Sequence, residues 1–315
     1  MKPRLSFLIP VKNVAPWLAV AVDGVRSLSS ADWEIVVADD HSGDGTKDLA
    51  SRLAGGDSRI IVIDNPGRGT VAGLNAAYAA SSGGHVKFLD GDDALDPGFS
   101  ARLPEILAED ASTHDARIVD EKLAPLSLLR LTDRFAVQPY AEVFRGGIVS
   151  PPRWAWTFSR RIADVLFPMP ELPSIHEDFW VALVIKKAAA RIAHFDEPLY
   201  LYRQRAGQIF GGLFNFSPDI VRRRAEAMLL VLEAVEKNSA FFGEGVPAFG
   251  ERLAEMRKYY RVSARPGAST GDILGLRLPL GRTLKLWTVL KAPRAASFVS
   301  RFKAGRASRL LSRMK

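Results

Sequence analysis

His85-Val86-Lys87-Phe88-Leu89-Asp90-Gly91-Asp92-Asp93 decides how this chain is read. A short apolar run reads as a buried strand, and it stops at three carboxylates packed around one glycine. In an open α/β sheet, ligands bind just beyond the carboxyl ends of the strands. Acids crowded at such an edge repel one another unless something positive lies between them. A hard divalent cation, which prefers oxygen ligands, is the obvious candidate. The plainer reading is a polar turn, because Asp and Gly are the usual turn residues.

Upstream the pattern repeats. Leu5 to Val11 reads as a strand, Trp17 to Leu28 as a helix, and Glu34 to Ala38 as a second strand that also ends in acids, Asp39-Asp40. Thr46 is placed to cap a helix from Lys47 to Leu53. Ile60 to Ile63 is a third strand and Thr70 to Ala80 an alanine-rich helix. Four alternations with short connections predict an α/β fold, a parallel sheet covered by helices on both faces. Parallel strands share one carboxyl edge, so Asp39, Asp40, Asp90 and Asp92 are expected to line one cleft.

Downstream the regularity weakens. Pro97 to Leu107 suits a helix, and Arg117-Ile118-Val119 suits a strand within an otherwise irregular stretch to Pro139. The aromatic run Trp154 to Phe158 reads as core packing. Pro168, Pro170 and Pro173 mark a loop. His176 to Ala190 has a helical pattern whose first-turn acids, Glu177-Asp178, suit the helix dipole. Leu199 to Arg203 is a late strand. Ser217-Pro218-Asp219 opens a helix with Val221, Ala225, Met228, Leu232 and Val235 on one face, expected to pack on the main domain.

The 315 residues, 47% hydrophobic and 25% charged, are ordinary for a globular protein. With no cysteine in the chain, disulfides, thiolate catalysis and cysteine zinc sites are excluded. The chain runs at once into a strand-like segment, so no signal peptide is expected, and no apolar run is long enough to span a bilayer. The net charge of +8 is uneven. From Arg261 onward thirteen basic residues face the single acid Asp272, a net +12; the first 260 residues hold 30 basic against 34 acidic, a net −4.

Rival signatures are tested by spacing. Gly67-Arg68-Gly69-Thr70-Val71-Ala72 fits a dinucleotide fingerprint, but Asn65-Pro66 separates strand from glycine, and Asp39-Asp40 would go unexplained. No Gly-Lys pair occurs, which excludes a P-loop. His176-Glu177 begins like a zinc protease, yet position 180 is Trp. The calcium-loop reading of Asp40 to Ser51 fails at its twelfth position, which is Ser.

Phe7-Leu8-Ile9-Pro10-Val11-Lys12-Asn13, Ile35-Val36-Val37-Ala38-Asp39-Asp40-His41-Ser42-Gly43-Asp44-Gly45-Thr46 and Phe88-Leu89-Asp90-Gly91-Asp92-Asp93 together resemble the family 2 glycosyltransferases, which have the GT-A fold. His176-Glu177-Asp178-Phe179-Trp180 and Pro198 to Arg203 resemble the family's acidic acceptor-site motif and the segment behind it. The resemblance implies roles. Pro10 and Val11 would border the nucleobase, and Asp39 would hydrogen-bond it. Asn13, Asp40, Gly91 and, on base or phosphate, Arg68 would join them in holding the donor. Asp90 would meet the ribose and the metal, and Asp92 would coordinate Mg2+ or Mn2+ on the diphosphate. Asp178 would be the general base, with Glu177 the second choice. The sequence departs from the family's pattern at Lys12, His41 and Leu74.

The expected architecture is a GT-A domain over 1–210, with a nucleotide half to 110 and an acceptor half beyond it. A helical segment at 211–260 and a helical, basic C-terminal tail at 261–315 follow, with helices expected at Leu284 to Leu290 and Ala295 to Met314. The expected activity is inverting, metal-dependent transfer from a nucleotide-diphosphate sugar, UDP-linked, to a glycan or lipid-linked acceptor in surface polysaccharide assembly. The tail is read either as a solvated extension or as a contact with an anionic membrane surface at the cytoplasmic face. Nucleic acid is not an expected partner, since no recognition motif accompanies the charge. The alternatives are a glycosyltransferase-like binding module without turnover and, resting on the glycine run, an NAD-dependent oxidoreductase.

Overall fold

β1 (Leu5–Val11) and β2 (Trp33–Asp39) are buried along almost their whole length, as near-continuous apolar runs in the middle of a parallel sheet must be. The computed structural model describes residues 4–30, 32–131, 138–145, 150–171, 177–204 and 218–292. β1 lies between β2 and β4 (His85–Phe88), and β2 continues to β3 (Ile60–Asp64), all parallel. Side chains alternate across the sheet. Phe7, Ile9, Val11, Ile35 and Val37 join one core cluster with Leu18, Val22 and Val25 of α1 (Ala15–Arg26). On the other face α3 (Gly69–Ala80) comes close enough that a Cβ on Gly73 would lie 3.4 Å from Pro10 and 3.7 Å from Ala38.

Beyond β4 the sheet becomes mixed. Its order is β3-β2-β1-β4-β8-β6-β9-β5, with β7 (Pro125–Leu129) paired to β6 (Ala111–Val119). β8 (Thr157–Ser159) is antiparallel to both β4 and β6, and β9 (Ile192–Arg203) runs parallel to β6 and antiparallel to β5 (Ala94–Leu95). α4 (Gly98–Ile106), α5 (Arg160–Leu166) and α6 (Glu177–Ala188) complete this half.

Several expectations are corrected. α2 spans Thr46–Ala54, so Thr46 lies inside the helix; its hydroxyl instead accepts from the Val14 N–H at 2.9 Å and ties α1 to α2. The stretch taken as irregular holds β6 and β7. The late strand is twelve residues long, not five. His176, Pro173, Ser217 and the segment 293–315 lie outside the described residues.

The chain divides into two units, Met1–Gln138 with Val149–Arg203, and Pro139–Ile148 with Gln204–Lys315. In the second, α7 (Pro218–Lys237) buries Ala225, Met228, Leu232 and Val235 and packs on α9 (Phe249–Ala264); α8 is the short Ser239–Gly243. α10 (Thr270–Leu274) and α11 (Leu280–Lys291) follow. Position 261 falls inside α9, and the described part of the basic region holds the two helices α10 and α11. Among the described residues no helix is long and apolar enough to cross a membrane.

Candidate active site

The carboxyl ends of β1, β2 and β4 lie side by side. Val11 is in register with Asp39, and the Leu89 N–H donates to the Leu8 carbonyl at 3.1 Å. Asp39-Asp40 and Asp90-Gly91-Asp92 therefore flank the end of β1 on one edge, as parallel pairing requires. Gly91 belongs there for a packing reason. A Cβ at this position would meet Val11 Cγ1 at 2.6 Å and Val14 Cγ2 at 3.1 Å. Gly91 and Val11, both expected to touch donor, are buried against each other.

Three loops meet on the β2 side and are stitched together. Asp40 Oδ2 accepts from Lys12 Nζ at 2.9 Å, while its Oδ1 accepts from Asn65 Nδ2 and from the Gly69 N–H, both at 3.0 Å. Burial alone would raise the Asp40 pKa, but these donors outweigh it and hold it below the free value. Asn13 and His41 both take positive φ, 53° and 57°. Asn13 Oδ1 accepts from the Gly43 N–H, and the His41 ring bonds the Gly67 carbonyl. Both Asp40 oxygens and the Asn13 Oδ1, expected among the donor ligands, are thus bonded to the protein. So is the glycine run that looked like a dinucleotide fingerprint. Arg68, just before α3, is exposed.

Asp39 differs from its neighbour. Its Oδ2 accepts from the Ser42 N–H at 3.0 Å, but its Oδ1 is buried with no hydrogen-bond partner. Such an atom costs roughly 1–3 kcal/mol unless a donor reaches it. A ligand N–H at this edge would satisfy it.

On the β4 side the organising residue is one the sequence reading passed over. Arg153, in a short 3-10 turn after Pro151-Pro152, gives Nη2 to Asp90 Oδ1 and Nη1 to Glu177 Oε1 at 3.0 Å. Its backbone N–H donates to Asp178 Oδ1 at 2.7 Å. One guanidinium and one amide thus gather three acids from two distant segments. Burial raises the pKa of all three: Arg153 opposes the rise, and Glu177 still reaches about 8. Asp92 and Asp178 push Asp90 further up. Glu177 is 1% exposed and anchors the arginine, while Asp178 keeps partial solvent access.

Two further buried cations brace the loop. Arg203, at the end of β9, donates its backbone N–H to Asp93 Oδ1 at 2.8 Å and its Nε to the Asp92 carbonyl. Lys87 is fully buried; its Nζ donates to the Trp154 carbonyl at 2.8 Å and bonds His114 Nε2 at 3.0 Å. His114 Nδ1 bonds the Asp115 carbonyl at 2.9 Å, which can only accept, so the ring proton is on Nδ1 and Nε2 accepts from lysine. Burial lowers the Lys87 pKa to about 7. Trp154 stacks on Tyr200 with centroids 4.6 Å apart, and the Tyr200 hydroxyl accepts from the Asp90 N–H at 3.1 Å. The aromatic run is core, as expected, and it also carries Arg153. A pair of prolines before an arginine flanking that run was the available signal.

Asp90 and Asp92 are the two carboxylates at this edge that could hold a divalent cation. Among the described residues no group of three His, Asp or Glu is arranged to enclose one. Mg2+ bound to nucleotides takes one or two carboxylates, with phosphate and water supplying the rest. Two hard oxygen donors at the carboxyl edge of the strands fit that chemistry. The positive charge expected between the acids is, for Asp90, partly supplied by Arg153.

Residues 6–130 match the profile of glycosyl transferase family 2. Over that stretch the chain is similar to family 2 glycosyltransferases, and its fold is of the GT-A type. It is similar to the uncharacterized glycosyltransferase EpsJ of Bacillus subtilis, 26% identical over 229 residues, covering 66% of this chain and 63% of EpsJ. The chain thus spans somewhat less than two thirds of that relative. Its fold resembles S. aureus TarS in complex with UDP-GlcNAc, with a TM-score of 0.55 at 16% identity over 98% of this chain and 92% of that one. It also resembles the mannosyltransferase PcManGT of Pyrobaculum calidifontis in complex with GDP-Man and Mn2+, with a TM-score of 0.53 at 16% identity over 96% and 88%.

Proposed function

We propose that the chain is an inverting glycosyltransferase that uses Mg2+ or Mn2+ and moves a sugar from a nucleotide-diphosphate donor, UDP-linked, to a hydroxyl of a glycan or lipid-linked acceptor. One observation carries the reading: Asp90 and Asp178 converge on Arg153 at the carboxyl edge of the parallel strands, in a chain similar to family 2 glycosyltransferases. The donors bound by TarS and PcManGT support a nucleotide sugar. Surface polysaccharide assembly is the setting, and attachment to an anionic membrane through the basic C-terminal region is part of the same reading.

Each residue then has a task. Asp39 Oδ1 accepts an N–H of the nucleobase. Asp90 and Asp92 would hold the cation, which would supply positive charge beside the departing diphosphate. Asp178 takes the proton of the acceptor hydroxyl, and its burial-raised pKa makes it a stronger base than a solvated carboxylate. The Arg153 amide fixes the orientation of that carboxylate, and Glu177 fixes Arg153. Attack from the face opposite the leaving group inverts the anomeric centre in one displacement.

A binding module that has lost turnover is favoured by one specific feature, the Arg153–Asp90 ion pair, which engages a proposed metal ligand. Hydrolysis and transfer assays over a nucleotide-sugar panel with Mn2+ separate the readings. Under the proposal, chelator and Asp92→Ala abolish turnover, and Asp178→Asn lowers kcat by about 10²- to 10⁴-fold while UDP binding stays unchanged. UDP binding with no turnover on any pair would leave the module. NAD binding with indifference to UDP would defeat both.

A further inference from the structure

Nine large apolar side chains are exposed among the described residues, and four of them fall within fourteen positions: Leu274 at 61%, Leu280 at 83%, Leu284 at 61% and Trp287 at 38%. Leu280, Leu284 and Trp287 stand at i, i+4 and i+7 of α11, one row along the helix, and Lys291 continues it. The inner side of α11 is used separately, by the buried Leu286. The row is therefore not the packed face of the helix. It is a second apolar stripe, left on the outside.

The charge around it is of one sign. Arg277, Arg282, Lys285 and Lys291 are exposed, and none is in an ion pair among the described residues. Asp272 is the only acid after position 261, and it is consumed locally. It accepts from the Ser269 N–H at 2.7 Å and from the Ser269 hydroxyl, closing a capping box, and Arg265 lies 3.3 Å away. The Trp287 indole N–H is held by Thr270 Oγ1 at 3.1 Å, which fixes the ring on the same surface. A rigid apolar row with uncompensated cations and no free acid calls for a partner both apolar and anionic. A second copy would bring like charge against like. Nucleic acid offers the charge without the apolar depth. An anionic lipid surface offers both, and leucine, tryptophan, lysine and arginine are the composition of helices that lie in that interface.

We propose that α10 and α11 form a membrane-docking surface, with Leu274, Leu280, Leu284 and Trp287 inserted among the acyl chains of an anionic bilayer and Arg277, Lys285 and Lys291 at its headgroups. This deepens the membrane part of the proposed function and rests on it. The full chain is mixed with phosphatidylcholine vesicles with and without phosphatidylglycerol, and the bound fraction is measured by flotation. Wild type binds only the anionic vesicles, more weakly in high salt. Leu280→Asp/Leu284→Asp, which alters solvent-facing positions, melts like wild type and loses affinity by about tenfold or more. Leu126→Asp, an exposed leucine of β7, binds like wild type. If the double variant binds as well as wild type, this surface is not the docking site, although membrane attachment stands. If wild type ignores both vesicles, attachment and surface fall together, while the nucleotide-sugar assays remain untouched. A dimer in sedimentation that the double variant breaks, with no change in vesicle binding, would also overturn the proposal.

Discussion

Asp40 and Asp90 follow the two strands that flank β1, yet the protein treats them in opposite ways. Asp40 sits among fixed donors from three loops, and its pKa falls despite burial. Asp90 is half-buried with Asp92 and Asp178 close by, has one guanidinium to share with Glu177, and its pKa rises. The first arrangement spends a carboxylate on holding loops in place. The second keeps carboxylates under-compensated, and so ready for a cation or a proton. Residue type and strand position are the same; the count of donors to each oxygen decides the outcome.

Removing the shared cation should give the largest effect. Arg153→Met leaves the half-buried Asp90 without a countercharge and the Glu177 carboxyl without its donor, a loss of roughly 3–5 kcal/mol in urea unfolding near neutral pH. The loss shrinks in acid, because protonated carboxyls need no partner. A variant as stable as wild type at pH 7 would mean that the acids on this side are solvated like ordinary surface groups.

Lys87 sharpens the comparison from the other sign of charge. Its folded pKa of about 7 lies below the free value of 10.5. Below about 7 it is protonated folded and unfolded, and the burial cost is full; above 10.5 the cost is gone. Between the two the unfolded chain binds the extra proton, so wild-type stability climbs relative to Lys87→Met by up to about 1.4 kcal/mol per pH unit. Paired thermal melts across this window report the slope, and parallel curves would contradict a desolvated ammonium.

The smallest effect belongs to the well-served carboxylate. Asp40→Asn should cost about 1 kcal/mol, since the amide oxygen still accepts from neighbours and the Lys12 partner is 52% exposed. With a depressed folded pKa, Asp40 contributes its charge-dependent stability above 3.8, and that share disappears as pH falls through the lower folded value. A penalty that persists unchanged in acid would show that shape, not charge, is what the loops require.

The contrast also marks where reading the chain ran out. The apolar runs of β1 to β4 and the acids that end them were legible, because strand periodicity and turn chemistry are local. Position placed Asp39 and Asp40 alike on the edge, and only the family resemblance gave Asp39 the contact with the base; its buried Oδ1 has no protein partner. Asp40, Asn13, Val11 and Gly91 were grouped with it by motif; that Asp40 and Asn13 also tie loops together and that Val11 packs on Gly91 was not legible there. Arg153 was missed because its partners lie 63 and 24 residues away. Lys87 was quoted inside a strand without its charge being questioned, since nothing local says that His114 and Trp154 close over it.

Sequence alone determined the alternating α/β frame, the shared acidic edge and the concentration of basic charge after position 261, all of which depend on neighbours along the chain. Only the tertiary structure decided which acids are neutralised by protein donors, which share a single arginine, and which leucines of the basic region stay outside. Those outcomes depend on desolvation and on donors brought in from distant strands, and neither quantity is written in any local stretch of residues.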